Sequence, residues 1–123
     1  MQIVLCLLLA LVAAPAWAAW VKVDETDTGS YYIDPTTVRK NGQFRKVWQV
    51  HDLKQRAKSG EMSQRVLWEF DCKEGRFRFL SFSTHFEPKA TGRTLVSESD
   101  TDDWDAVSPN TAAETVLKFV CAK

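Results

Sequence analysis

The sequence predicts an α+β fold, with about six antiparallel strands and one C-terminal helix that a disulfide clamps to the sheet. Three observations predict this class. Short segments of β-branched and aromatic residues alternate with turn signals between residues 20 and 96. After Pro109 the apolar residues recur at helical spacing. Cys72 and Cys121 lie in these two different kinds of segment, one in each.

The N-terminus has the pattern of an export signal. Residues 3–14 form an almost unbroken apolar run, and Ala16-Trp17-Ala18 offers the small-x-small pattern that a signal peptidase cuts. We therefore expect a signal peptide over residues 1–18 and a single domain over residues 19–123. The run is shorter than the roughly 20 residues of a spanning helix, so we expect no stable membrane insertion after leader removal.

The first predicted strands lie at residues 20–23 and 30–33, and Pro35 ends the second of them because proline cannot donate to a ladder. Asn41-Gly42 then predicts a hairpin with a two-residue type I′ turn. The outgoing strand is expected over residues 44–53.

Two further strands follow a polar connection at residues 54–60. Alternation in the first of them places four residues on one face, toward the core: Val66, Trp68, Phe70 and Cys72. Glu74-Gly75 turns the chain into a phenylalanine-rich strand at residues 76–86, and residues 94–96 are expected to add a short edge strand.

The C-terminal helix is predicted to begin with a capping box. Thr111 caps the helix and Glu114 reaches back to the cap. Five residues then recur on one face: Ala113, Val116, Leu117, Val120 and Cys121.

Cys72 and Cys121 are predicted to form a structural disulfide. Cys6 leaves with the signal peptide, so two cysteines remain in an oxidising compartment, and two are most simply paired. Closing this loop is worth about 4 kcal/mol on the chain-entropy model. The chain has no Cys-x-x-Cys motif, so a thioredoxin-like redox site is not expected.

Charge is balanced overall but unevenly distributed. Residues 39–93 carry thirteen Lys and Arg against six Asp and Glu, a net of +7, and the remainder carries −7. The zero total implies no general nucleic-acid affinity. The basic residues near one hairpin and the following loop are candidates for binding a protein partner, or they keep the edge soluble. These are Arg39, Lys40, Arg45, Lys46, Lys54, Arg56 and Lys58.

No residues point to a catalytic, cofactor or metal site. His51 and His85 lack the convergent ligands of a zinc centre, and no Gly-x-Ser-x-Gly elbow is present. The carboxylates of residues 98–105 resemble a calcium loop only superficially, because the glycine of an EF-hand is missing, and a solvated acidic loop is favoured.

Several ordered motifs resemble the surface-adhesin protein E family. The string of residues 29–39, GSYYIDPTTVR, is followed by Val47-Trp48-Gln49-Val50 with Asp52, then by Asp71-Cys72. Trp104-x-x-Val107-x-Pro109 and a closing Val120-Cys121 complete the set. The resemblance covers residues 20–121. It implies a small exported bacterial domain of antiparallel sheet plus helix, and an adhesin for host proteins such as laminin, vitronectin and plasminogen.

We therefore predict a non-enzymatic, exported binding module, in the periplasm or at the cell surface, that engages a protein partner through a sheet edge and basic loops. The alternative is a soluble periplasmic small-molecule or haem-binding protein, because no lipid anchor for surface display is evident.

Overall fold

A computed structural model describes residues 19–122, so the predicted signal peptide at residues 1–18 lies outside the described residues. The described chain forms an antiparallel sheet and one helix. The elements are β1 Val21–Glu25, β2 Gly29–Ile33, a 3-10 turn Pro35–Thr37, β3 Arg39–Asn41, β4 Phe44–Leu53, β5 Ser63–Asp71, β6 Arg76–Glu87, β7 Thr91–Glu98, β8 Asp105–Ala106 and α1 Ala112–Cys121. Within residues 19–122, no helix is long and apolar enough to cross a bilayer.

The strands lie in the order β1-β2-β4-β5-β6-β7, with β3 beside β4 and β8 beside β6. This confirms the predicted α+β class and its antiparallel sheet. The two strands beyond the six on the main path are three and two residues long. The predicted edge strand at residues 94–96 is part of the longer β7.

The β3–β4 hairpin turns one residue later than predicted. Asn41 pairs with Phe44, so the two-residue loop is Gly42-Gln43 rather than Asn41-Gly42. Gly42 has a φ of +58°, whereas Asn41 and Gln43 do not have positive φ. A single glycine with positive φ at the first loop position is the pattern of a type II′ turn, which also matches the twist of the flanking strands.

One face of the sheet packs against α1. In the β4–β5 register Val47 pairs with Trp68 and Gln49 with Val66, so these four side chains share that face. The buried cluster that forms there joins sheet and helix: Ile33, Val47, Val66, Trp68, Phe70, Ala113, Val116 and Val120.

A bulge in β6 extends this face. Trp68 pairs with Phe79 but its neighbour Leu67 pairs with Ser81, so Leu80 is an extra residue. Phe79 and Phe82 are three apart and would face opposite sides of a regular strand. Because of the bulge, both lie on the face that packs toward α1.

The helix has the predicted N-cap and the predicted disulfide. The Glu114 N–H donates to Thr111 Oγ1 at 3.2 Å, while the Glu114 carboxylate accepts from the Asn110 N–H at 3.4 Å, one residue before the cap. The Cys72–Cys121 disulfide is formed, which confirms the predicted pairing. It fixes the end of α1 to the turn that follows β5.

Candidate binding surfaces

The predicted basic residues divide between the two ends of β4. Arg39, Lys40 and Lys46 are exposed on the β3–β4 hairpin. Arg45 differs, because its side chain is buried and its guanidinium donates to the carbonyls of Gly42 at 2.7 Å and Phe44 at 3.0 Å. Arg45 therefore holds the hairpin turn, and the other three present charge to solvent.

At the opposite end of β4, the β4–β5 loop carries Lys54, Arg56 and Lys58, all of them exposed. Arg56 is held in place: its Nη1 donates to the carbonyl of Phe86 at 2.6 Å and to that of Gly60 at 2.8 Å. Its guanidinium also lies 3.9 Å from the centre of the Phe86 ring. The structure thus does not bring the seven predicted residues into one patch.

The β4–β5 loop adjoins β7. Arg93 of β7 lies over the same Phe86 ring, with its guanidinium 5.3 Å from the ring centre. Gly60 of the loop lies close to Leu95 of β7, because a Cβ added to Gly60 would be 3.5 Å from Leu95 Cδ1. We call β7 together with the adjoining β4–β5 loop, which carries Lys54, Arg56 and Lys58, the β7 surface.

Most of β7 is open to solvent. Seven of its eight residues are exposed, including Val96 at 45%. Within residues 19–122, β7 pairs with β6 and with no other strand, so its outer edge keeps unpaired backbone N–H and C=O groups. Two register shifts against β6 add twist to the strand.

A second candidate site is a cleft of about 500 Å³ between the sheet and the start of α1. Its walls are mostly apolar and aromatic, with a few polar groups. The lining residues are Tyr31, Gln49, His51, Gln64, Val66, Trp68, Phe77, Phe79, Phe82, Asp102, Thr111, Ala112 and Ala113. We call this the helix cleft.

Two polar atoms of the helix cleft residues are buried without a hydrogen-bond partner in residues 19–122, Gln49 Oε1 and Trp68 Nε1. His51 Nε2 is a third, but it lies against the backbone of Gly29, where an added Cβ would be 2.9 Å away. The His51 ring stacks on Tyr31, with 4.1 Å between ring centres. Burial lowers the pKa of His51 and the nearby Asp52 only partly offsets this.

The other face of the sheet holds a serine–histidine contact. Ser83 Oγ and His85 Nε2 are 2.7 Å apart, and His85 Nδ1 is buried without a partner. Burial lowers the pKa of His85, and the charge of Arg65 lowers it further. In the triad arrangement a carboxylate orients the histidine through Nδ1. Because His85 Nδ1 lacks such a partner in residues 19–122, this contact does not form a triad.

The described residues contain no group of three or more His, Cys, Asp and Glu that is able to hold a metal ion. The five carboxylates predicted to form a solvated acidic loop are exposed: Glu98, Asp100, Asp102, Asp103 and Asp105.

Sequence reasoning missed the helix cleft. Trp68 was expected to face the core, but no site was predicted from Phe77, Phe79 and Phe82, which remain partly exposed. Their convergence depends on the bulge at Leu80, and the only local hint is the change of phenylalanine spacing from two to three residues.

The comparisons by sequence and by fold point to the same kind of protein. A family model described as surface-adhesin protein E matches residues 20–122. The fold is similar to Haemophilus influenzae protein E, with a TM-score of 0.69 at 14% identity over 86% of each chain. Crystal form II of that protein gives 0.64 at 16% identity, covering 83% of this chain and 96% of that chain. No curated protein matches the chain.

Proposed function

Because the chain belongs to the surface-adhesin protein E family, whose model spans residues 20–122, we propose that it is a non-enzymatic, exported binding module that takes a protein partner at the β7 surface. The observation that carries this proposal is the unpaired outer edge of β7, eight residues long and next to a loop that carries three cations. Its location, in the periplasm or at the cell surface, is part of the proposal.

An extended segment of the partner adds to β7 as a further strand. Backbone groups on the free edge supply hydrogen bonds for such an addition whatever the side chains are, so the mode needs little sequence signature. The register shifts in β7 leave residues 96–98 in regular pairing with β6, and this stretch is the best template for a new strand.

The charges of the β7 surface favour an acidic partner segment. The loop beside the strand carries Lys54, Arg56 and Lys58, and Arg93 adds a fourth cation within β7. Charges at the rim of an interface act mainly on the association rate and its salt dependence. The hairpin cations Arg39, Lys40 and Lys46 lie at the far end of β4 and take no part in this mode.

A matched pair of charge reversals tests the proposal on laminin, vitronectin and plasminogen, the host proteins that the family resemblance implies. Lys58→Glu should weaken binding about fivefold and reduce its salt dependence. Lys40→Glu makes the same change at another exposed residue, far from β7, and should leave binding unaltered. Surface plasmon resonance measures both. An equal loss in the two variants, or a loss only in Lys40→Glu, would contradict the proposed surface.

A proline pair tests the strand edge itself. Neighbouring residues of a strand direct their N–H groups to opposite edges of the strand. Of the variants Val96→Pro and Ser97→Pro, one therefore loses a backbone hydrogen bond to β6, and the other loses an N–H donor on the free edge. The variant that keeps wild-type stability should lose partner binding.

Surface protease treatment of intact cells tests the location of the protein, and full protection of the protein would contradict the adhesin function.

The predicted alternative, a small-molecule or haem-binding protein, is favoured by one observation, the helix cleft. His51 lines it, whereas His85 is absent from its described lining. Haem titration followed by Soret absorbance tests haem specifically. A Soret shift that His51→Ala abolishes and His85→Ala preserves would support this alternative.

A further inference from the structure

We propose that the helix cleft binds a small, neutral, planar molecule with one or two aromatic rings and a carboxamide-like edge that offers both a hydrogen-bond acceptor and a donor. This inference rests on the small-molecule alternative and is independent of strand addition. Of the described residues that line the cleft, none belongs to β7. The two sites can therefore fail or succeed separately.

The size and walls of the helix cleft suit an aromatic ring. Its volume of about 500 Å³ lies within the range of roughly 300–1,000 Å³ that is typical of small-molecule sites. Phe77 and Phe79 contact Trp68, with ring centres 5.7 and 5.8 Å away, and together they form an aromatic wall. Phe77, Phe79 and Phe82 are only partly buried, so a ligand ring would cover apolar surface that now faces solvent.

The polar edge of the ligand is set by two buried atoms. Gln49 is 2% exposed and Trp68 is 5% exposed, yet within the described part of the chain Gln49 Oε1 has no donor and Trp68 Nε1–H has no acceptor. Most buried polar groups in proteins are paired, and an unpaired one destabilises the fold. One acceptor and one donor on a single ligand edge, as in a carboxamide, complement both atoms.

The positions of these two residues allow one ligand edge to reach both. Val47 pairs with Trp68 and Gln49 pairs with Val66, so Gln49 and Trp68 are diagonal neighbours on the same face of β4 and β5. Bulk water does not reach either atom, so binding requires a small rotation of the side chains that cover them.

The charges around the helix cleft disfavour an anionic ligand. The start of α1 carries a partial positive charge that attracts anions, but Glu114 lies in the first turn and Asp102 lines the cleft. Among the titratable groups of the lining, His51 adds no cation near neutral pH, because burial lowers its pKa. An anionic ligand thus meets the carboxylate of Asp102 and no Lys or Arg among the described lining residues.

Three probes of one ring each test this inference in the purified protein: benzamide, toluene and benzoate. The readout is the Trp68 Nε1–H resonance in nitrogen–proton correlation spectra. Benzamide should shift it with a Kd on the order of 1 mM, as expected for a ligand of this size. Toluene and benzoate should each bind about tenfold more weakly, because toluene lacks the polar edge and benzoate is charged. Equal binding of benzamide and toluene, or no binding of benzamide, would overturn the proposal.

Matched variants locate the site. Trp68→Phe keeps an aromatic ring but removes the donor, and it should reduce benzamide affinity to that of toluene, as followed by the backbone amide of Ala113. Trp48→Phe makes the same change outside the described lining, on the opposite face, and should leave affinity unchanged. If Trp68→Phe fails to fold, Gln49→Leu provides the equivalent test on the acceptor side. Equal losses in the Trp68 and Trp48 variants would show that benzamide binds elsewhere.

Discussion

The helix-covered centre of the sheet and the β7 edge use similar residues in opposite surroundings. Val116 of α1 is fully buried against the sheet, whereas Val96 of β7 is 45% exposed. The centre is closed by a helix and a disulfide, while β7 has a strand on one side only among the described residues. Stability is therefore concentrated in β4, β5 and α1, and β7 keeps backbone groups free for recognition.

The largest effect on stability should come from removing a large buried side chain from the centre of the sheet. Phe70 is fully buried between Trp68 and Phe77, so Phe70→Ala should lower the free energy of unfolding by about 3–5 kcal/mol, measured by urea denaturation. Val96→Ala removes apolar atoms from the β7 edge and should change the free energy of unfolding by no more than about 0.5 kcal/mol. Similar losses in both variants would erase the contrast between the two regions.

Loss of the Cys72–Cys121 disulfide should have the next largest effect. Cys121→Ser opens the disulfide that spans 49 residues of sequence, and it should lower the free energy of unfolding by about 2–4 kcal/mol. Reduced wild-type protein provides the control and should lose about as much. Thiol titration of the native protein should find no free Cys72 or Cys121. Two free thiols in a fully stable native protein would contradict the pairing.

The helix cap should have a smaller effect. Thr111→Ala removes the acceptor for the Glu114 N–H and should cost about 1 kcal/mol in urea denaturation. Thr115→Ala makes the same chemical change at an exposed position inside α1 and should be neutral or slightly stabilising, because alanine has the higher helix propensity. If the Thr115 variant loses more than the Thr111 variant, the cap is not what holds the start of α1.

The smallest effect concerns pH. Burial lowers the pKa of His51 and His85 in the fold, while the unfolded chain keeps a histidine pKa near 6.5. Below that pH the unfolded state binds more protons, so the free energy of unfolding should fall as pH drops from about 7 to 5. His51→Gln should flatten this dependence in urea midpoints measured across that range, and His85→Gln should remove part of the remainder. Stability that rises on acidification would contradict both shifts.

Much of the fold is predictable because it depends on local patterns. Alternation placed Trp68 and Phe70 on the core face of β5, and the capping box placed Thr111 at the start of α1. Cys72 was expected on the same strand, but β5 ends at Asp71 and Cys72 lies in the turn that follows. Its pairing with Cys121 was predicted from the count of two cysteines and the expected compartment, and the disulfide is formed. The hairpin turn was wrong by one residue, because Asn-Gly and Gly-Gln loops both fit the local sequence.

The candidate sites depend on contacts between distant segments, which local patterns do not report. Arg45 resembled its exposed neighbour Lys46 in sequence, yet it is buried against the hairpin carbonyls. Gln49 and Trp68 became neighbours only through the β4–β5 register. The adjacency of Arg56 and Arg93 over one aromatic ring likewise requires β6 and β7 to be in place.

The Cys72–Cys121 bond also closes the chain into a covalent ring that contains β6, β7, β8 and α1. The exposed segment at residues 98–103 lies within that ring. A single cut there by an extracytoplasmic protease leaves both fragments joined, and the nicked molecule separates into two only after reduction. The ring thus keeps α1 attached to the sheet even after the exposed acidic connection has been cut.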